Sequence, residues 1–389
     1  MIAFLILIVS AALILHILIG YPLLLLRGRG KALRPPVAKD PGLETTVSVI
    51  LAVHNGEGMI RSKLEALLAL DYPRHLMNIL VVSDGSTDRT EAIVQEFEGR
   101  GVTLVKAPRG GKSAALNYGL SAATGELLFF TDVRQPLDPM CLRHLVSNFA
   151  DATVGAVTGE LHLLRGDSGE QADMDLYWRY EIRARLRHSE IDSLFNTTGC
   201  IYAMRRSLAL PLPPDTLSDD AVLPLGAFFR GYRVIFDPAA IAFDYPAVAG
   251  TEFRRRFRTL AGLWQVHARF PELFTSRNRM RFHFLSHKFG RLALPWLILV
   301  FFGAAAALPA SWFRTVVLGA GAFWLVLALI NPVVPPASAL KRLTSPARTF
   351  LVMNAAALVS PAVFFVPANR LWVQTRVQRV GDAAEVSGN

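Results

Sequence analysis

The stretch Thr46–Asp88 decides the fold of this chain. Its apolar run VSVILAV at 47–53 leads into HNGE at 54–57, and a second run, NILVVS at 78–83, leads into DGSTD at 84–88. Two near-continuous apolar runs separated by a helix-length segment predict a βαβ unit in a parallel sheet that is buried on both faces. Ligands of such sheets bind beyond the carboxyl ends of the strands, so we expect both polar loops to line one nucleotide-binding crevice.

Outward from this stretch, the same alternation of strands and helices continues. Further strands are predicted at 102–105, 126–131, 154–158 and 233–236. Helices are predicted at 58–70, from near Asp88, and at 221–229. The pattern predicts one α/β domain, which we place at residues 46–250.

The rest of the chain is unusually apolar. The 389 residues are 52% hydrophobic with a mean hydropathy of +0.34, and the excess lies in Met1–Leu26 and Leu292–Ala368. The formal net charge is +10, with basic residues clustered beside the apolar segments. This arrangement favours membrane lipids with anionic headgroups and phosphorylated substrates as partners, and no nucleic-acid partner is expected.

The N-terminus predicts a transmembrane helix. Met1–Leu26 contains no Asp, Glu, Lys or Arg and is longer than the ~20 apolar residues that a bilayer crossing requires. Basic residues follow it, whereas a cleaved signal peptide carries them first. These residues are Arg27, Arg29, Lys31 and Arg34. By the positive-inside rule, we expect a multi-pass protein of the inner, cytoplasmic membrane with an outward N-terminus and a cytosolic domain.

Other segments surround the α/β domain. A linker is predicted at 27–45, a basic amphipathic segment lying on the membrane at 251–291, two or three transmembrane or re-entrant helices at 292–368, and a polar tail at 369–389. Three crossings would place the C-terminus outside, but Arg370, Arg376 and Arg379 argue for inside. The sequence leaves both arrangements open.

A glycine turn precedes Lys112. The run Arg109-Gly110-Gly111-Lys112-Ser113 invites comparison with a phosphate-binding P-loop, but that motif requires a glycine where Lys106 stands. A lysine at the start of a helix beside a glycine turn is either a phosphate ligand or a solvated N-terminal side chain. The only two cysteines, Cys141 and Cys200, have neither metal-ligand nor redox spacing.

Carboxylates stand beside two further apolar runs. Asp132 follows the predicted strand 126–131 and falls on the same sheet edge as Asp84. Two acidic loops at one edge suit a divalent cation that bridges a diphosphate, although Asp132 could equally cap a turn. Asp219 and Asp220 precede the helix predicted at 221–229, so they either cap it or supply a general base.

Together, these motifs resemble the family 2 glycosyltransferases of the GT-A fold in their membrane-anchored bacterial form, over roughly residues 46–262. His54–Glu57 resembles the family's Y/H-N-E motif, and Ser83–Asp88 is similar to its D-G-S-T-D motif. Gly111–Asn117 is similar to G-K-x-x-A-L-N, Asn196–Arg206 to T-G-A-x-x-A-x-R-R, and Ser218–Asp220 to T-E-D. The specificity of the resemblance lies in five motifs that occur in the family's order.

The resemblance implies roles for named residues, with Asp220 as the catalytic base beside Asp219 and with Mg2+ or Mn2+ at Asp132. The residues implied to bind the nucleotide sugar are His54, Asn55, Glu57, Asp84, Lys112, Asp132 and Arg134. The residues implied on the diphosphate and acceptor side are Gly199, Arg255, Arg256 and Arg258.

Two motifs depart from the family pattern. The metal motif D-x-D reads Asp132-Val133-Arg134, so the side chain of Arg134 stands where the family has its second metal-binding carboxylate. Metal binding is therefore expected to rest on Asp132 and the diphosphate, and Arg134 is expected near phosphate. The synthase motif Q/R-R-x-R-W reads Arg255-Arg256-Phe257-Arg258-Thr259. The missing tryptophan contacts the acceptor sugar in processive synthases, so the chain is expected to transfer single sugars.

The resemblance therefore implies an inverting glycosyltransferase that moves a sugar from a nucleotide-diphosphate donor to a lipid-linked or saccharide acceptor at the cytoplasmic membrane face. Inversion follows from one base and no covalent nucleophile. Two alternatives stay open: a processive polysaccharide synthase, and a non-catalytic donor-binding subunit of an envelope-pathway complex. A transporter is disfavoured because the hydrophobic segments are few and the soluble domain is large.

Overall fold

The computed structural model describes residues 1–27, 34–164, 171–245, 252–335 and 338–367. Residues 34–164 and 188–245 form one unit, and residues 1–27, 171–187, 252–335 and 338–366 form another. The predicted tail at 369–389, with Arg370, Arg376 and Arg379, lies outside the described residues, as do positions 28–33 of the predicted linker. The tail and the linker therefore stay predictions.

A mixed sheet of seven strands organises the first unit. The strands are β1 (Val47–Val53), β2 (Met77–Asp84), β3 (Val102–Ala107), β4 (Leu127–Phe130), β5 (Val154–Leu163), β6 (Tyr202–Arg205) and β7 (Arg233–Asp244). Their order is β3-β2-β1-β4-β6-β5-β7. Neighbours pair in parallel except that β6 runs antiparallel to both β4 and β5. The α/β class predicted from the sequence is confirmed.

The predicted βαβ unit is confirmed by the parallel ladder of β1 and β2, in which Val47 lies opposite Met77. The runs of these strands are continuously apolar because helices cover both faces of the sheet. On one face, Val49 and Leu51 join the same buried cluster as Ile60. On the other face, helix Lys112–Ala122 lies so close to β1 that a Cβ added at Gly119 would be 2.6 Å from Ile50 Cγ2.

In its described part the first unit contains five α-helices, and all of them except Cys141–Ser147 begin within two residues of a predicted position. They are Glu57–Leu68, Thr90–Gln95, Lys112–Ala122, Cys141–Ser147 and Asp219–Phe229. The second of these helices has Arg89 at its N-cap, and Asp88 Oδ1 just before it accepts a hydrogen bond from Thr90 N at 3.0 Å. Asp219 and Asp220 are the first two residues of their helix rather than residues that precede it.

The second unit is helical in the part of it that the structure describes. Its helices are Ile2–Leu15, His16–Gly20 (π), Tyr21–Leu26, Gln171–Ile191, Glu252–Arg269, Arg281–His283, Phe284–Phe289 (π), Gly290–Ala306, Trp312–Ile330 and Lys341–Val359. Consecutive pieces join into four helices that are long and apolar enough to cross a membrane, judged by length and composition. These are the first apolar helix (Ile2–Leu26), the second (Arg281–Ala306), the third (Trp312–Val333) and the fourth (Lys341–Phe364).

The second apolar helix begins earlier than the predicted apolar segment. It starts at Arg281, so the last part of the basic segment predicted at 251–291 belongs to the same helix as the apolar residues after Leu292. The first part of that segment forms the helix Glu252–Arg269, which buries Ala261 and Val266. The bounds of the segments and their placement in a membrane stay predictions.

Candidate active site

The loops that follow β1 and β2 are hydrogen-bonded to each other. His54 Nδ1 lies 2.9 Å from the backbone oxygen of Asp84. The backbone of Asn55 has a positive φ of 49°. Its side-chain Oδ1 accepts a hydrogen bond from Thr87 N at 2.8 Å. Glu57 Oε2 accepts from Arg89 N at 3.1 Å. Three residues predicted to bind nucleotide thus also hold the two loops together.

Asp84 fixes the glycine turn before Lys112. Its side chain is almost fully buried, and its carboxylate accepts from Gly110 N at 2.7 Å and from Gly111 N at 3.0 Å. The Arg109 guanidinium also donates to it. Gly111 has a φ of 87°, a backbone conformation that glycine adopts without the penalty other residues incur. Asp84 therefore determines where the next residue, Lys112, begins its helix.

Lys112 joins two carboxylates that are distant along the chain. Its Nζ lies 3.0 Å from Asp132 Oδ1 and 3.4 Å from Asp219 Oδ1. Burial alone would lower the pKa of Lys112, but Asp132, Asp219 and Asp220 outweigh it and raise that pKa above its usual value. We call Asp132, Asp219 and Asp220, gathered around Lys112, the carboxylate cluster.

Asp219 and Asp220 occupy different surroundings although they are adjacent. Asp219 is buried, its Oδ2 has no protein hydrogen-bond partner among the described residues, and burial raises the pKa of its carboxyl. Asp220 is partly exposed, and its backbone oxygen accepts from Thr197 N at 2.8 Å. Gly199 lies beside it, since a Cβ there would be 3.7 Å from Asp220 Oδ2. The partly exposed carboxylate is the one that a substrate can reach.

Tyr202 belongs to this site and was missed by the sequence analysis. It is the first residue of β6, pairs with Phe130 at the end of β4, and its ring stacks on Phe130 at a centroid distance of 4.5 Å. Its buried hydroxyl has no protein partner in the described part of the chain. Burial, followed by the charges of Asp219, Asp220 and Asp132, raises the pKa of this phenol well above its usual value. No sequence signal separated this tyrosine from a core residue.

A buried lysine beneath the Asp132 loop was also missed. Lys63 Nζ donates to Thr131 Oγ1 at 2.8 Å and to the Gln135 backbone oxygen at 2.6 Å, so it holds both sides of that loop. Burial lowers the pKa of Lys63 to about 8. A signal was present in the sequence: Lys63 interrupts the apolar face that Ile60 and Leu64 share on helix Glu57–Leu68.

Arg134, expected near phosphate, forms an internal ion pair. Its guanidinium lies 2.7 Å from the buried carboxylate of Asp244, at the end of β7, and Gln135 Nε2 donates to the same oxygen at 3.1 Å. The Nε of Arg134 is buried without a protein partner in the described chain. Its contact with phosphate stays a prediction.

The residues present can hold a divalent metal only with help from a substrate. Among the described residues, no three His, Cys, Asp or Glu side chains come together as a metal site. Asp132 supplies one partly exposed carboxylate, and Asp219 Oδ2 is a second, unpartnered oxygen across Lys112. Mg2+ characteristically takes one or two carboxylates and completes its shell with phosphate and water, so this donor set fits a metal that arrives with a diphosphate.

The three predicted arginines lie in the other unit. Arg255, Arg256 and Arg258 belong to helix Glu252–Arg269. On a helix, positions 255 and 258 share a face, which suits a paired grip on phosphate. Their role on the diphosphate and acceptor side stays a prediction.

Comparisons with known proteins show which families and structures this chain is similar to. Residues 48–210 match the model described as Glycosyl transferase family 2. A probable glycosyltransferase of Bacillus subtilis (strain 168), YdaM, is 29% identical over 257 residues, which covers 61% of this chain and 60% of the relative. A poly-beta-1,6-N-acetyl-D-glucosamine synthase of Staphylococcus aureus is 24% identical over 244 residues, with 61% and 58% covered. The chain therefore spans about 60% of the length of these curated relatives.

One solved structure is similar over nearly the whole chain. It is the mannosyltransferase PcManGT from Pyrobaculum calidifontis, in complex with GDP-Man and Mn2+. The TM-score is 0.72 at 26% sequence identity, and the match covers 92% of this chain and 98% of that one. The likeness extends beyond the sheet to most of the helices.

Proposed function

Because residues 48–210 place this chain in glycosyl transferase family 2, with the GT-A fold, we propose that it transfers one sugar from a nucleotide-diphosphate sugar to a lipid-linked or saccharide acceptor. The observation that supports this most strongly is the carboxylate cluster. Lys112 meets Asp132 and Asp219 within 3.4 Å, and the partly exposed Asp220 follows directly. Cation and base are thus adjacent at the strand ends, where ligands of such sheets bind.

The proposed reaction is a direct displacement at the anomeric carbon. Asp220 takes the proton of the acceptor hydroxyl, whose oxygen forms a bond to the anomeric carbon while the bond to the diphosphate oxygen breaks. Lys112 faces the leaving diphosphate and stabilises its developing charge. Asp220 acts as the base and no enzyme carboxylate forms a covalent intermediate in this displacement, so the product has inverted configuration.

Asp132 is the residue that would hold a metal. When bound, Mg2+ or Mn2+ would supply positive charge to the leaving diphosphate. Lys63 supports Asp132 from beneath by bonding Thr131 and Gln135 on either side of it. The complex of PcManGT with GDP-Man and Mn2+ makes GDP-mannose with Mn2+ the first combination to test.

We place the protein in the inner, cytoplasmic membrane with its catalytic unit cytosolic. Four helices have the length and composition to cross a bilayer. Large apolar side chains on them are exposed, among them Leu5 at 62% and Phe323 at 64%. Exposed apolar surface of this extent is typical of segments that contact lipid.

A processive polysaccharide synthase is the second candidate function. The similarity to the Staphylococcus aureus poly-beta-1,6-N-acetyl-D-glucosamine synthase favours it, although the identity is only 24%. Thr259, which stands at the position of the tryptophan in the synthase motif, argues for single transfer.

The test is a donor screen on the full chain purified in detergent. GDP-mannose, UDP-glucose and UDP-N-acetylglucosamine are supplied with and without Mn2+, and donor hydrolysis and product length are measured with lipid and saccharide acceptors. Single transfer is supported by metal-stimulated turnover that yields products extended by one sugar. A ladder of long products selects the synthase, and absence of turnover with every donor overturns the proposed activity.

A further inference from the structure

A cavity lies at the end of the sheet opposite the carboxylate cluster. It has a volume of about 450 Å³ and is lined by Met77 and Ile79, near the start of β2, and by Gly101, just before β3. Strands advance ~3.3 Å per residue, so the eight residues of β2 separate this cavity from Asp84 by on the order of 20 Å. Cavities of this size hold small molecules. The cavity is therefore distinct from the proposed donor site.

The buried part of the cavity lining is apolar. Leu68, the last residue of helix Glu57–Leu68, and Met77 are each 7% exposed, and Ile79 is 1% exposed. None of the large apolar side chains that are exposed in the described chain lines this cavity. The lining thus offers apolar contact to a small molecule but no extended apolar surface for the acyl chains of a lipid.

The rim of the same cavity is basic and consists of the exposed residues Arg74, His75 and Arg100. Arg100 lies over the buried ring of Phe97, with its Cζ 5.2 Å from the ring centroid, a contact that orients the guanidinium. Burial, and after it the charge of Arg100, lowers the pKa of the Arg74 guanidinium. Two like charges therefore act on each other at the rim.

Carboxylates close along the chain do not neutralise these arginines. Asp71 is paired with Arg143 and Glu96 with Arg61, while the exposed Glu98 does not line the cavity. Within the part of the chain that the structure describes, the two arginines of the rim form no ion pair and no carboxylate lines the cavity. A guanidinium presents five N–H donors in a planar fork that matches phosphate oxygens. The rim is thus suited to an anion from solution.

We propose that this cavity is a second ligand site, which binds a soluble organic phosphate through Arg74 and Arg100. The guanidinium groups bind the phosphate, and the apolar body of the ligand lies against Leu68, Met77 and Ile79. This inference goes beyond the proposed function and does not depend on it, because none of these residues belongs to the carboxylate cluster.

The experiment uses 1-naphthyl phosphate, which joins a phosphate to an apolar ring system. Its binding to the full chain in detergent is measured by isothermal titration calorimetry for wild type and for Arg74→Gln/Arg100→Gln. The matched control, Arg230→Gln/Arg277→Gln, removes the same charge from exposed arginines that do not line the cavity. We expect the first variant to bind about 30-fold more weakly, for the loss of two charge-assisted contacts, and the control to bind like wild type. Equal affinity in the two variants overturns the proposal.

A second pair of substitutions separates loss of charge from damage to the cavity. Arg74→Lys/Arg100→Lys keeps both charges, so it should bind the naphthyl phosphate about tenfold more tightly than the glutamine variant. Equal losses in the lysine and glutamine variants would show that the cavity has changed shape rather than lost its cations, and would overturn the proposal. Donor turnover in the same preparations reports separately on the proposed activity.

Three competing ligands define the chemistry of the site. 1-Naphthol and inorganic phosphate each lack one half of the probe and should bind more weakly than 1-naphthyl phosphate. If 1-naphthol binds as tightly, the site does not recognise phosphate, and if inorganic phosphate does, the cavity contributes nothing; either result overturns the proposal. Dihexanoyl phosphatidylglycerol should not displace the probe, and displacement would assign the site to a lipid headgroup instead of a soluble phosphate.

Discussion

The two sides of the candidate site differ in how completely protein atoms satisfy their polar groups. On the side of β1, β2 and β3, Asp84 accepts from Arg109, Gly110 and Gly111, and the neighbouring loops bond each other. On the side of β4 and β6, Asp219 Oδ2 and the Tyr202 hydroxyl are buried without protein partners in the described chain. Hydrogen bonds within the protein thus hold the polar groups on the side of β1, β2 and β3, whereas the side of β4 and β6 keeps buried polar atoms without a protein partner among the described residues.

This contrast separates scaffold from chemistry. A buried polar group without a partner costs stability, and a folded protein tolerates that cost where function requires the group. The satisfied side positions Lys112 through the glycine turn, while the unsatisfied side gathers three carboxylates around that lysine. Changes on the first side should lower stability and activity together. Changes on the second should affect activity with little loss of stability, or with a gain.

Asp220→Asn should give the largest effect. The amide cannot take a proton from the acceptor hydroxyl, so we expect kcat to fall about 10²- to 10⁴-fold, the range for loss of a general base. Donor affinity, measured by isothermal titration, should be unchanged because Asp220 does not hold the donor. The matched control is Glu98→Gln, an exposed carboxyl just before β3, at the opposite edge of the sheet. Turnover near the wild-type value with intact donor binding would remove Asp220 from the role of base.

Asp84→Asn tests the satisfied side. An amide cannot accept from Arg109, Gly110 and Gly111 together, so we expect the free energy of unfolding to fall by about 1–3 kcal/mol in a urea titration. Donor turnover should also fall, because the glycine turn would no longer fix the position of Lys112 at the start of its helix. Asp71→Asn, which breaks an exposed ion pair with Arg143, should change stability by less than about 1 kcal/mol. Loss of donor binding with unchanged stability would instead make Asp84 a nucleotide ligand, as the family resemblance implies.

The sequence predicted which loops meet but not what they do there. Asp84 and Asp132 could be placed together because parallel strands end at one sheet edge, a rule that depends only on apolar runs and their order. The internal bonds of Asn55 and Glu57, and the pairing of Arg134 with Asp244, depend on contacts between distant segments. No local pattern encodes such contacts.

The missed residues fall into two kinds. Lys63 left a signal, since a lysine in the apolar face of helix Glu57–Leu68 must either break that face or bond something buried. Tyr202 left none: a tyrosine in a buried strand normally belongs to the core, and only the three-dimensional arrangement brings carboxylates around its hydroxyl. The role of a single side chain in a buried strand therefore needs the three-dimensional structure, while a charge on an apolar helix face can be noticed in the sequence.

Lys63→Met tests how the Asp132 loop is held. The variant removes hydrogen bonds to Thr131 and Gln135, so we expect the KM for the donor to rise about tenfold, with a smaller change in kcat. Steady-state kinetics measure this split. Lys106→Met, which removes an exposed lysine paired with Glu91, should leave both constants unchanged. An unchanged KM in the Lys63 variant would show that the loop does not depend on this lysine.

The same lysine predicts how stability depends on pH. Burial lowers the folded-state pKa of Lys63 to about 8 from 10.5. Between these values the unfolded chain binds more protons than the folded one, so the stability of the wild type should rise with pH relative to Lys63→Met. Below pH 8 both states are protonated, and the difference should be flat. Urea titrations at intervals from pH 7 to pH 10 measure it, and a falling difference above pH 8 would contradict the lowered pKa.

Tyr202→Phe should give the smallest effect, and its sign decides whether the comparison is right. The change removes a buried hydroxyl that has no protein partner and keeps the ring stacked on Phe130, so unfolding should become harder by up to about 1 kcal/mol. The matched control is Tyr72→Phe: that hydroxyl donates to Thr45 O at 2.6 Å and accepts from Thr45 N at 3.1 Å, so its loss should cost about 1 kcal/mol. If the two substitutions change the free energy of unfolding in opposite directions, the polar groups on the side of β4 and β6 lower the stability of the folded protein. If both variants lose stability alike, Tyr202 is bonded in solution and the two sides do not differ.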